Sequence, residues 1–120
     1  MLVKDAIIKL FEYSNIIQIK HMTRETTFVA ELKVNGIYVD EIKEVIEWDL
    51  FDKVILFLES QPGNKALKGN AQCNNADHTT VEGYINSEIY QDTKRRITYY
   101  GAILQAVERV SGLDTYLKLW

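Results

Sequence analysis

An Asn-Gly pair set between two β-rich runs turns a chain back on itself, and Asn35-Gly36 is such a pair. Before it, residues 26–34 alternate, with Phe28, Ala30, Leu32 and Val34 on one face and Thr27, Glu31 and Lys33 on the other. Residues 16–22 form an earlier β-branched run, joined to it by the short polar link Thr23-Arg24-Glu25, so a hairpin with Arg24 at its tip is expected. After Asn35-Gly36, Ile37-Tyr38-Val39 reads as a further hairpin strand. Asp40 then caps a helix to about Leu50, because Glu41, Lys43, Glu44 and Glu47 are good helix formers and poor strand formers. The apolar run 53–58, followed by a turn signal, fits a short buried strand.

The ends of the chain read as helical. Leu2, Val3, Ala6, Ile7, Leu10 and Phe11 recur at helical spacing, and Ser14-Asn15 closes that helix. Ile85, Ile89, Ile97, Tyr100, Ile103, Leu104, Val107 and Val110 fit one stripe, interrupted near Asp92-Thr93. A helix over 87–111, ended at Ser111-Gly112, would run about 37 Å at 1.5 Å per residue. Such a rod is long for one small domain, and part of it is expected to pack on another copy in a homo-oligomer. Residues 113–120 read as a final strand, with Trp120 large enough to anchor it to the core or to an interface. Residues 60–79, which hold the only proline and four asparagines, read as a long polar loop.

One α+β domain over residues 1–120 follows: a small, mainly antiparallel sheet, an N-terminal helix, a short acidic helix and a long C-terminal helix. Its units are helix-strand-strand-helix-strand to residue 59, the loop 60–79, and the long helix with its terminal strand. The expected core is Leu2, Ile7, Leu10, Ile17, Phe28, Leu32, Ile46, Val54, Leu56, Ile103 and Val107.

Charge bounds the function. The net charge is −3, which disfavours a generally basic nucleic-acid coat. No apolar run is long enough to span a bilayer, and Asp5 and Glu12 within the first helix argue against a secretory signal. A single cysteine, Cys73, makes no internal disulfide, and a reducing, cytoplasmic setting is expected. The first sixty residues carry net −4 and the last sixty net +1.

Within the basic half, Arg95 and Tyr99, and Arg96 and Tyr100, lie four apart on the expected helix, so each guanidinium can stand beside a ring. Arginine forks onto phosphate and tyrosine stacks on a base, the two kinds of group an anionic nucleotide needs. The expected ligand-binding set is therefore Arg95, Arg96 and Tyr99, with Arg109 and Arg24, under loop 60–79. The alternative is structural: Tyr100 in the core, Tyr99 over the sheet edge, and the arginines paired with Glu88 or Asp92.

Two other chemistries are weighed. Glu41, Glu44, Glu47, Asp49 and Asp52, with Asp40, make an acidic stretch that could occupy a basic groove on a partner protein or form an ordinary solvated face. Cys73 and His78 could act as nucleophile and base of a small hydrolase, though nothing in their spacing fixes the geometry. His21 reads as a strand surface residue. The stretch from Gly63 to Gly69 lacks the Lys-Ser/Thr of a Walker loop, although its backbone could still cradle an anion. No motif for a metal or an organic cofactor is complete, and no short helix and tight turn precede the basic helix as DNA reading by a helix-turn-helix requires.

The stretch 2–59, from VKDAIIKLFEYSNIIQIKH to ELKVNGIYVDEIKEVIEWDLFDKVILFLES, resembles small accessory proteins encoded by phages and mobile elements of low-GC Gram-positive bacteria. The resemblance implies an anti-defence role. Such a protein either sequesters a nucleotide signal or inhibits a host defence protein in the manner of anti-CRISPR proteins.

Overall fold

A computed structural model describes residues 2–69, 78–92 and 94–120. The chain is α+β. The helix α1 (Val3–Lys9) leads into β1 (Ile16–Lys20), β2 (Thr27–Lys33), β3 (Gly36–Val39) and β4 (Glu44–Glu47), then α2 (Trp48–Glu59). A short turn at Pro62–Asn64 precedes β5 (Lys65–Leu67). Then come α3 (Val81–Ile85), α4 (Ile97–Ala106), β6 (Val110–Gly112) and β7 (Tyr116–Leu119).

The first four strands form an antiparallel sheet in sequence order, and β5-β7-β6 form a second antiparallel sheet with the C-terminal strand at its centre. The helix α4 lies between them, with Ile97, Tyr100, Ala102, Ile103 and Leu104 at most 1% exposed. It touches β1 on one side and β6 on the other. No helix among the described residues is long and apolar enough to cross a membrane.

The hairpins form for the reasons the alternation implies. Ile19, Phe28, Ala30, Ile37, Val39 and Ile46 face the core. The β2–β3 turn falls on Val34-Asn35, with Lys33 opposite Gly36. Gly36 matters for a different reason than a left-handed turn: a Cβ there would stand 2.1 Å from the Ile46 carbonyl oxygen of β4. Trp48 holds the same turn, its indole N–H donating to the Val34 carbonyl at 2.9 Å.

Three expectations are corrected. First, the acidic helix does not span 40–50. Lys43 takes a left-handed conformation (φ 53°), the chain turns there, and Glu44–Glu47 pair with β3 as a strand. Helix propensity is worth tenths of a kcal/mol per residue. Burying Ile46 completely and closing a ladder is worth more.

Second, 53–58 is helix, not strand. Leu50, Phe51, Val54, Phe57 and Leu58 are the buried residues of α2, spaced by one, four, seven and eight from the first. Leu56 points outward and is 63% exposed.

Third, the C-terminal rod is not continuous. After α3 comes a π-type turn, Asn86–Tyr90, which ends at Gln91 in the left-handed region (φ 55°), and α4 restarts only at Ile97. Where the rod was expected to end, β6 begins instead. The 37 Å rod would have matched the whole 39 Å long axis.

Of the expected core, Ile7, Phe28, Ile46, Val54 and Ile103 are fully buried, and Leu10, Ile17, Leu32 and Val107 pack against it. Leu2 and Leu56 are exposed, and so is Trp120, which therefore anchors nothing in this chain's core. The expected loop 60–79 opens with a turn and β5, and its residues 70–77 lie outside the described part.

Candidate functional site

A cleft of about 190 Å³ opens where three separated stretches of chain meet α4. Its described lining includes His21, Met22, Thr23 and Arg24 from the β1–β2 connection, Lys68 after β5, Arg95, Ile97 and Thr98 around the start of α4, and Asp114 between β6 and β7.

The β1–β2 connection is held in place by a sulfur in a glycine notch. A Cβ on Gly101 of α4 would lie 2.7 Å from Met22 Sδ, and one on Gly112 of β6 would lie 2.6 Å from it. Only the absence of both side chains admits the thioether. Gln105 fastens the same point, donating from Nε2 to the Met22 carbonyl at 3.3 Å and accepting from the Gly112 N–H at 2.7 Å. Thr23 and Arg24 follow directly and reach the mouth of the cleft. The Arg24 guanidinium bonds His21 Nδ1 at 3.2 Å.

His21 is not a surface residue: it is 3% exposed, against Phe28 at a centroid distance of 5.2 Å. Burial, and next the Arg24 charge, lower its pKa below 6.5. A neutral ring leaves Nδ1 free to accept from Arg24.

Lys68 is fixed through its backbone, donating to Thr115 at 2.9 Å and accepting from the Glu82 N–H at 3.0 Å. Only 6% of the residue is exposed, and its Nζ reaches the Asp114 carbonyl at a long 3.4 Å. An ammonium has three donors, so most of its bonding capacity is unused among the described residues. Burial pulls its pKa down; Asp114 opposes the shift and Arg95 adds to it.

Arg95 donates to Glu82 at 2.8 Å. Glu82 is 2% exposed, and its other oxygen accepts the Arg96 backbone N–H at 3.1 Å, where α4 begins. A buried carboxylate from α3 thus caps α4, which has no capping side chain of its own. Burial outweighs these contacts and raises its pKa.

The expected ligand-binding set divides. Arg24 and Arg95 line the cleft. Arg96 does not face outward: it is 3% exposed and locked inside. Its guanidinium meets Asp92 twice at 2.8 Å, Glu44 at 3.1 Å and the Tyr90 ring at 3.5 Å. This knot ties β4 to the break before α4. Tyr99 packs edge-on against Phe28, 5.2 Å away, and donates its hydroxyl to Glu41 at 2.8 Å, so its ring is no open stacking platform. Burial, with Glu41 beside it, pushes its pKa up to about 12. Tyr100 is core, 1% exposed. Arg109 stands between α4 and β6 and is not among the cleft residues.

The acidic set is not one helix face. Glu41 holds Tyr99, and Glu44 holds Lys94 and Arg96. Burial would raise Glu44, but the hydrogen bonds from those two cations outweigh it and hold its pKa down. Glu47, Asp49 and Asp52 are exposed around the start of α2. Cys73 lies outside the described residues, and His78 is exposed. Among the described residues, no cluster of His, Cys, Asp and Glu could hold a metal ion.

Sequence reading missed His21, Lys68 and Asp114 as members of one site. Lys68 enters the sequence reading only as part of loop 60–79 over the ligand and of a stretch that fails as a Walker loop, and no local pattern joins it to Arg24, forty-four positions earlier. Comparison of the chain with protein-family models, curated proteins and solved structures finds no match to any of them.

Proposed function

We propose that this chain is a non-catalytic binding protein that holds an anionic, nucleotide-like ligand by its charged end. The observation that carries the reading is the convergence of Arg24, Lys68 and Arg95, from three distant stretches, on one cleft. Their like charges repel, and bringing one of them out of water adds to that cost. An anion between them removes the repulsion and adds acceptors for the Lys68 ammonium, whose contact among the described residues is the long one to Asp114. Sequestration of a nucleotide signal is the use that the resemblance of residues 2–59 implies.

Non-catalysis is supported by how the site's proton-carrying groups are engaged. His21 accepts from Arg24, and Glu82 holds Arg95 and the start of α4. The acidic-face reading is weaker, because Glu41 and Glu44 are bonded within the chain.

The test is calorimetry and thermal shift with phosphate, pyrophosphate and linear and cyclic nucleotides, on the native chain and on Arg24→Ala. Binding that weakens with salt and falls in the variant is expected. No heat and no shift with millimolar anion would end the reading.

A further inference from the structure

From the size and donor count of the cleft, we infer that its ligand is a small-molecule phosphate monoester, held by the terminal phosphoryl group with the rest of the molecule outside. This deepens the anion-binding reading and rests on it.

The volume decides first. The cleft measures about 190 Å³. Sites that enclose drug-sized ligands run to about 300–1,000 Å³. A phosphoryl group with its ester oxygen and a few carbons fits; a whole nucleotide does not. The Tyr99 ring, packed on Phe28 and tied to Glu41, adds no platform for a base inside.

The donors decide next. Arg24, Lys68 and Arg95 enter from different stretches, and Thr23 and Thr98, hydroxyl-bearing residues, line the same space. A monoester dianion offers three terminal oxygens and nearly two charges at neutral pH. A diester offers two such oxygens, one charge and a second substituent to accommodate. A carboxylate has two oxygens and one charge, which a single arginine fork satisfies. Lys68 is the strongest sign that an anion belongs here. It is more than nine-tenths buried, with a single long contact from its ammonium among the described residues. Asp114 is the acid at the rim, and His21 sits neutral behind Arg24, so the described lining is cationic on balance.

Calorimetry on the full chain with AMP, glycerol phosphate, cyclic AMP and acetate separates the possibilities. AMP and glycerol phosphate are expected to bind at least about tenfold tighter than cyclic AMP and acetate. Equal binding of cyclic AMP and AMP, or of acetate and glycerol phosphate, overturns the monoester assignment and leaves anion binding standing. No heat with any of them removes both.

Lys68→Met keeps the length of the buried stem and is expected to weaken AMP by about tenfold or more, while Lys118→Gln, away from the cleft, changes nothing. A folded Lys68→Met protein that binds AMP normally overturns the assignment. Should that variant not fold, Arg24→Gln at the exposed rim carries the same readout.

Discussion

Arg95 and Arg96 are consecutive, yet their guanidinium groups belong to different environments. Arg95 reaches Glu82 at 2.8 Å beside the cleft, while Arg96 is buried against Asp92, Glu44 and the Tyr90 ring. One peptide step at the start of α4 separates a group that a ligand can meet from a group that holds the fold.

Arg96→Ala is therefore expected to cost stability and not to act at the cleft directly. Removing the buried guanidinium takes one cation from Asp92 and one from Glu44, which keeps Lys94; both carboxylates are partly exposed, so the loss is about 2–3 kcal/mol. Arg24→Ala, at an exposed side chain, should stay within about 1 kcal/mol. Urea unfolding monitored by tryptophan fluorescence reads both. Equal midpoints for the two variants would show that the knot is not structural.

Gly101→Ala and Gly112→Ala each place a Cβ against Met22 Sδ, inside any tolerable contact distance. Such overpacking costs about 1–3 kcal/mol at Gly112, where the new atom also meets Met22 Cβ and Cγ, and less at Gly101, where it meets only the flexible end of the methionine. It also shifts Thr23 and Arg24, so anion affinity should fall with stability. Combining either change with Met22→Ala should recover part of the loss, a coupling that a double-mutant cycle measures. Strict additivity would mean that the methionine does not occupy the notch.

His21 gives a pH signature. Its folded pKa is lowered, mainly by burial, so the unfolded chain takes up a proton that the folded chain refuses. The contribution is complete above the unfolded value of about 6.5 and is lost as pH falls through the lowered folded value. Glu82 acts in the opposite sense: its raised pKa favours the folded state as pH falls toward 4.5. Comparison of the native chain with His21→Gln at about pH 7.5 and about pH 5.5 isolates the histidine. The native chain should lose more stability on acidification than the variant does; identical losses would exclude this role for the ring.

Tyr100 carries a hydroxyl with no hydrogen-bond partner among the described residues, in a side chain that is 1% exposed. Its burial pushes the pKa well above the usual phenol value. Tyr100→Phe removes an unsatisfied polar atom and keeps the ring, so stability should hold or rise by about 1 kcal/mol. A loss of more than that in the denaturation midpoint would reveal a bond to this oxygen.

What the sequence determined by itself was set by local periods. Alternation in 16–22 and 26–34 prescribes the first hairpin, the stripe from Val3 to Phe11 prescribes α1, and the mixture prescribes α+β. Local signals fail where a distant partner outweighs them. Glu44 is a helix former that becomes strand because β3 offers a ladder and because Arg96, fifty-two positions later, takes its carboxylate. The apolar stripe from Ile85 to Val110 reads as one rod because a helical period survives the interruption between Asn86 and Arg96, where Arg96 bonds Asp92 and Glu44 and Glu82 caps the restarted helix. The cleft was half legible. Arg24 and Arg95 stand out as cations near a turn and a helix start. Lys68, His21 and Asp114 join them only once β5 pairs with β7 and a methionine docks between two glycines. Packing and electrostatics between residues far apart in the chain have no periodicity, and so they leave no trace in the order of the amino acids.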